Sequence, residues 1–396
     1  MNKLIHPDDA LKTINSVKTR PLTELVKLKD AVHRIMPEAV TGSMDQPPFD
    51  KASMDGWGWN AGPNVEMPSG PLKEREKLGA GYSTDKPVQA GECVHIMTGA
   101  PTPPGVSRIQ RVEWSSSNNG YINFTKPEHG DNIIKRGENS KKGELLLGPR
   151  LLHAQDIAIL ASEGHKYVKV SVKPRVALLS TGTELKEPGM ALEQADIYDS
   201  NRYQLMTQLS AFPCIVADYG IVKDDYKETV KSLKLAMEEN SLVILSGGVS
   251  MGEYDYVPKA LKELGVKEVF HGVAVKPGKP TYYGTKGACH VLGLPGNPVS
   301  VFINTEVFVK ALLAALSGIV HHSTIVPSIA SQSISRGKTE RVEFLPVAID
   351  DKGCFPVPYG GSSAIQALGK AAGFVRLEIG QKEIRAGSIC HVRLIR

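Results

Sequence analysis

No stretch constrains the fold of this chain more than Leu242–Asp255, LVILSGGVSMGEYD. Apolar and β-branched residues run into Ser246-Gly247-Gly248, and helical character resumes after Asp255. A buried strand, a glycine turn, a polar loop and a helix, in that order, place the loop at the carboxyl end of a parallel strand. Open α/β sheets bind ligands there. Adjacent glycines reach positive φ and let backbone N–H groups approach a ligand with no Cβ in between. Such a nest suits an anion, phosphate above all. Glu253 and Asp255 add carboxylates beside it, as a divalent cation accompanying a phosphate requires. The loop matches neither G-x-G-x-x-G nor a Walker sequence, so the motif alone specifies an anionic ligand with a metal and nothing narrower.

The rest of the 396 residues arranges itself around that unit. Residues 7–36 read as helical, from a start at Pro7-Asp8-Asp9 through Leu22, Leu25 and Val26. From about Val40 proline and glycine become frequent. Short β-type runs (Glu92–Met97, Ile109–Trp114, Tyr121–Thr125) follow, with Asn118-Asn119-Gly120 as a hairpin turn. A helix at Leu151–Ser162 folds back onto the N-terminal segment. Then strands and helices alternate: Arg175–Ser180, helix Ser200–Ala211, Cys214–Tyr219, a helix after Asp224, Leu242–Leu245, helix Tyr256–Leu264, Val291–Leu294 and a long apolar helix to about Leu316. This alternation predicts a parallel sheet covered on both faces. Arg341–Ile349 and Ser388–Ile395 suggest a closing β domain. The expected fold class is α/β plus β in a multi-domain, elongated subunit. Its parts are a helical or extended N-terminal domain (1–44 and 141–173), a small β domain (45–140), a doubly wound α/β domain (174–318) and a β-barrel-like C-terminal domain (319–396).

Charge and cysteine content narrow the function. The net charge of +5 is spread along the chain, which permits an anionic ligand and argues only weakly for nucleic acid, so no nucleic-acid partner is expected. Five scattered cysteines without C-x-x-C suggest neither a disulfide framework nor a zinc site. The start lacks a signal-peptide apolar region, and no apolar run reads as long enough to span a bilayer. The expected location is the cytoplasm, with no membrane partner. His321-His322 reads as a surface pair.

Several motifs carry chemistry, each with a plainer reading beside it. Ala52-Ser53-Met54-Asp55-Gly56 is a tight polar corner in which Asp55 could simply cap its own backbone. Thr98 before Gly99 could close a turn or donate to a phosphate. Thr181-Gly182-Thr183-Glu184 ends a second parallel strand, and two such loops along one sheet edge form a crevice. Asp224-Asp225 is equally a helix cap or a ligand pair. In Lys276-Pro277-Gly278-Lys279-Pro280 the prolines hold two ammonium groups near each other, a cost unless an anion or carboxylates answer them. Gly293–Ser300 (GLPGNPVS) ends a strand and opens a helix, whose N-terminus favours negative charge.

Taken in order, PPFDKASMDG, MTGAP, STGTEL, SGGVSMGEYD, KPGKP and GLPGNPVS resemble the molybdopterin molybdenumtransferase family (MoeA and the gephyrin E domain) along essentially the whole chain. The resemblance implies insertion of molybdenum from molybdate into adenylylated molybdopterin, with release of AMP in a magnesium-dependent step. It implies a homodimer with the active site between subunits, and the upstream molybdopterin adenylyltransferase as a partner. It assigns Asp55 and Thr98 to the face of the β domain. Glu184, Asp224 and Asp255 become the acidic group for Mg²⁺, and Gly247, Gly248, Ser250 and Gly252 the backbone cradle. Lys276, Lys279, Ser300 and Ser362 become the molybdate pocket. Three positions depart from the family pattern: Asn139 replaces an Asp, Gly272 a Lys or Arg, and Glu343 an Arg that faces molybdate. Arg341, two residues earlier on the same strand face, is the expected substitute. A catalytically altered paralogue, acting as a pterin-binding or scaffold protein, is the alternative these departures raise.

Overall fold

In the computed structural model the described residues are 4–17, 19–250 and 255–395. They divide into two compact units. One comprises Met1–Pro37, Pro149–Ile157 and Lys166–Arg396, and the other Glu38–Gly148 and Ala158–His165.

In the smaller unit a six-stranded sheet is built around Gly56–Trp59, which pairs with Glu92–Ile96 on one side and Arg108–Arg111 on the other. The hairpin Ser115–Asn118/Tyr121–Phe124 turns at Asn119 and Gly120, both at positive φ (51° and 77°), as the Asn-Gly pair predicts. Val94, Ile96, Ile109 and Ile133 form the core of this unit.

The larger unit holds the α/β sheet. Ile215–Val222, Arg175–Thr181, Leu242–Ser246 and Cys289–Leu294 run parallel in that spatial order. Tyr282–Lys286 and Lys267–His271 then extend the sheet antiparallel, so it is mixed rather than wholly parallel. Leu242–Ser246 is buried at every position, as a strand covered on both faces must be. Helices Ser200–Ser210 and Tyr226–Glu239 follow their strands near the expected places. Asp225, not Asp224, caps the second of them, accepting from Glu228 N.

Two expectations fail in instructive ways. Among the described residues of the N-terminal segment, Pro7–Asn15 is α-helical and Leu28–Asp30 adds one short 3-10 turn. Thr23–Lys27, with Leu25 exposed, is a strand paired to Tyr167–Ser171, and Ile35–Met36 pairs with Arg150–Leu151. The segment does fold back, but through strand pairing rather than helix packing. The run Pro298–Leu316 is long and apolar enough by length and composition to cross a bilayer, contrary to expectation. Its apolar faces are answered by protein instead: Val299, Val301, Ile303, Phe308, Leu312 and Leu313 sit in the main core with Leu178, Ile244 and Leu292.

The C-terminal sheet runs Val275–Lys276, Val342–Asp350, Gly373–Leu377, Ile389–Leu394, Ile325–Ile329. Its first member comes from the Lys-Pro-Gly-Lys-Pro segment, and Lys276 stands directly opposite Glu343 in parallel register. That pairing shapes the site described next.

Candidate active site

The carboxyl ends of the parallel strands open into a crevice of about 750 Å³. Its floor is backbone. Gly247 and Gly248 adopt φ of 89° and 64°, and Gly247 N donates to Leu294 O. A Cβ on Gly247 would lie 2.5 Å from the Thr181 carbonyl oxygen, and one on Gly248 would lie 2.6 Å from Thr181 Oγ1. No side chain fits between these two strand ends, so the glycines are required by space as well as by φ. Beneath them Ser180 and Ser246, both buried, share a hydroxyl–hydroxyl bond of 3.2 Å.

Glu184, Asp224, Asp255 and Ser250 line the same crevice, as the motif order predicts. Asp224 is neither a helix cap nor idle: its Oδ2 accepts from Thr183 N (2.9 Å) and Thr183 Oγ1 (3.1 Å). This ties the loop after Arg175–Thr181 to the loop after Ile215–Val222. Gly252 and Glu253 fall outside the described residues. Among the described residues no three His, Cys, Asp or Glu side chains cluster closely enough to hold a metal by themselves.

Sequence reasoning missed the opposite wall. Asp199, 1% exposed, caps helix Ser200–Ser210, and Asn201 donates from Nδ2 to Gly296 O at 2.7 Å. Both line the crevice. Behind them the buried Arg202 guanidinium binds Asp199 at 3.0 Å and also holds Asp218 and Glu187. Asp199-Ser200-Asn201 carried a helix-start signal, which concealed its second position at the crevice.

A second cavity of about 570 Å³ adjoins the first, and Pro280, Pro295 and Asn297 line both. Here stand Lys276, Lys279, Ser300, Ser362 and Arg341, all five of the residues expected around an oxyanion. Asn297 donates from Nδ2 to Ser362 Oγ at 2.9 Å, and Val299 N donates to Ser362 O. The helix start and the C-terminal domain are thereby joined at the cavity wall. Gly278 has φ of 118°, and a Cβ there would lie 2.2 Å from Asn304 Nδ2, so the turn between the two lysines is fixed against the long helix.

Glu343 also lines this cavity, beside Arg341 rather than in its stead. Its Oε1 meets Lys276 Nζ at 2.8 Å and its Oε2 stands 3.7 Å from Arg336 NH1. The carboxylate answers Lys276, so it does not stand bare against an incoming anion. Arg341 donates to Val275 O at 3.0 Å. Arg336, absent from the sequence-based set, is buried and donates to the carbonyls of Gln381, Arg341 and Glu378. At Gly272 the backbone takes a φ of 98°, which a Lys or Arg would occupy only with strain.

In the smaller unit Asp55 Oδ1 accepts from both Thr98 N (2.7 Å) and Thr98 Oγ1 (2.6 Å). These two bonds hold the Asp55 carboxyl below the usual range. The two predicted residues are thus brought together, and Asp55 caps the second motif rather than its own turn. Asn139 is exposed and donates its N–H to Gln46 O. His321 corrects the expected surface pair: it is half-buried, and burial, with Arg393 and Lys310 nearby, pushes it down to about 4.

Comparison with known proteins finds relatives along nearly the whole chain. Residues 5–164 match the MoeA N-terminal region (domain I and II), residues 177–315 a probable molybdopterin binding domain, and residues 334–395 the MoeA C-terminal region (domain IV). A molybdopterin molybdenumtransferase of Haemophilus influenzae is 32% identical over 378 residues, 92% of each chain. One of Bacillus subtilis is 29% identical over 98% of this chain and 94% of its own. The crystal structure of a molybdopterin biosynthesis MoeA protein from Pyrococcus horikoshii superposes with a TM-score of 0.85 at 28% identity, covering 99% of this chain and all of that one. With its three regions matched in order and a relative of this identity along nearly its full length, the chain belongs to the molybdopterin molybdenumtransferase family, enzymes of molybdenum cofactor biosynthesis.

Proposed function

We propose that the protein takes adenylylated molybdopterin into the glycine-floored crevice and molybdate into the adjoining cationic cavity, joins molybdenum to the pterin dithiolene, and releases AMP. The observation that carries this reading is the continuity of the two cavities across Pro280, Pro295 and Asn297. A phosphate-bearing guest on the glycine nest and an oxyanion among Lys276, Lys279 and Arg341 would lie side by side, so the protein acts chiefly by proximity. Backbone N–H groups around Gly247 and Gly248 orient the phosphates. Lys279, Ser300 and Ser362 supply charge and hydroxyl donors to the oxide.

A magnesium ion fits the donor set in one way only. Mg²⁺ commonly takes one or two carboxylates and fills its shell with phosphate and water. Glu184, Asp224 and Asp255 offer such hard oxygens without forming a closed cage. Bound there with substrate, the ion would neutralise charge on the phosphates. The homodimer, the contribution of Asp55 and Thr98 to catalysis, partnership with the adenylyltransferase and a cytoplasmic location belong to the same proposal.

The test is direct: purified protein, adenylylated molybdopterin, Mg²⁺ and molybdate should yield AMP and a molybdenum-loaded pterin. Pterin binding without AMP release would overturn the enzymatic reading in favour of the scaffold.

A further inference from the structure

The cationic cavity contains a group that simple oxyanion binding leaves unexplained. Glu343 is 2% exposed, and while its Oε1 is held by Lys276, its Oε2 receives no hydrogen bond. Arg336, the nearest cation to Oε2, stands at 3.7 Å, beyond hydrogen-bond reach, and turns one N–H of each of its three nitrogens to a backbone carbonyl. A buried acceptor left unpartnered is costly and wants a donor. The remaining charged or titratable groups of the cavity are Lys279, Arg341 and Tyr359. Burial, and then the charge of Glu343, push the Tyr359 phenol up to about 12, so it keeps its proton. Lys276 is 41% exposed, so its ammonium can be reached from the cavity.

We propose that the oxyanion lodges against the Lys276–Glu343 pair carrying one proton, accepting from the ammonium and donating its hydroxyl to Oε2 of the carboxylate. This rests on the reading of the cavity as the molybdate site and makes that site selective for tetrahedral oxyanions able to hold a proton. A fully deprotonated oxide in this position would set one anionic oxygen against another in a poorly solvated place. A guest with one hydroxyl satisfies both partners. The balance is simple: molybdate dianion plus one proton from solvent gives bound hydrogen molybdate, with no bond to the metal changed. Sulfate, also a dianion near neutral pH, is a weaker base that resists taking up the proton, and it leaves Oε2 opposed by a lone pair. Sites built to receive a hydroxyl reject analogues that lack one, by up to about 10⁴-fold or more.

Calorimetric titration of the full chain with sodium molybdate and with sodium sulfate, between about pH 6 and 8, tests this. No histidine lines the cavity to confuse that range. Molybdate affinity should fall about tenfold per pH unit, with uptake of about one proton shown by buffers of different ionisation heat. Glu343→Gln should flatten the slope and bring sulfate within about tenfold of molybdate, whereas Glu343→Asp should keep the slope. A flat slope in the native chain, or an unchanged one in Glu343→Gln, overturns the proposal while leaving the molybdate site standing. No heat with molybdate at any pH removes the site and the proposal together. If Glu343→Gln fails to fold, the native slope alone decides.

Discussion

The crevice and the cavity beside it share three wall residues, yet they are made in opposite ways. The crevice owes its shape to main chain: two positive-φ glycines are pressed against Thr181, and its carboxylates are steered by backbone donors such as Thr183 N. The cavity owes its character to side-chain charge, with four cations gathered around one buried carboxylate. A surface made of backbone tolerates little change in volume and much change in charge. A surface made of ion pairs tolerates the reverse.

The sharpest way to break that contrast is Gly247→Ala. Its Cβ meets a carbonyl that the sheet cannot move, at a φ no L-residue favours, so about 1–3 kcal/mol of stability and nearly all AMP release should go together. A thermal melt and a turnover assay check both, and an active, stable variant would show that the floor is not rigid. Next comes Lys276→Ala, which strands Glu343 and should cost about 1–3 kcal/mol. The double change Lys276→Met with Glu343→Leu should restore stability to within about 1 kcal/mol while molybdate binding stays lost, because removing both partners of a pair is nearly neutral. Denaturant melts with molybdate titration separate the two effects. Asp224→Asn keeps an acceptor for Thr183 but removes charge. The Mg²⁺ needed for half-maximal turnover should rise about 10–100-fold with an unchanged melt.

The last effect lies outside both cavities and serves as a control. His321 titrates near 4 in the fold against an ordinary value of 6.5, so the unfolded chain binds more protons between those values. Stability from this group is whole above about 6.5, declines as the pH falls, and levels below about 4. His321→Leu should flatten that part of a denaturant-versus-pH curve without altering molybdate binding.

The crevice was legible in the sequence because strand Leu242–Ser246, the glycine pair and helix Val257–Glu263 follow one another closely along the chain. Local order fixed the positions of Gly247, Gly248, Glu184 and Asp224 at one sheet edge. The N-terminal segment misled because Leu22, Leu25 and Val26 fit a helical spacing, while the partner that makes them a strand, Tyr167–Ser171, lies far along the chain. The role of Glu343 was hidden for a related reason. An alignment reads a carboxylate there as a defect in an anion site, and only the register opposite Lys276 reveals its partner. Arg336 carried no signal at all, and Asn201 only that of a helix start, since the site role of each is defined by backbone carbonyls supplied by distant segments.

The placement of Val275–Lys276 in the C-terminal sheet has a consequence for how this protein can be taken apart. The matched regions assign Lys276 to the pterin-binding portion and Glu343 to the terminal one, yet a single β-ladder contains both. A chimera joined at the apparent seam between those portions would exchange one half of a ladder and keep the other. Graft boundaries that respect the chemistry must carry the Val275–Pro280 turn along with the tail, as one inherited piece.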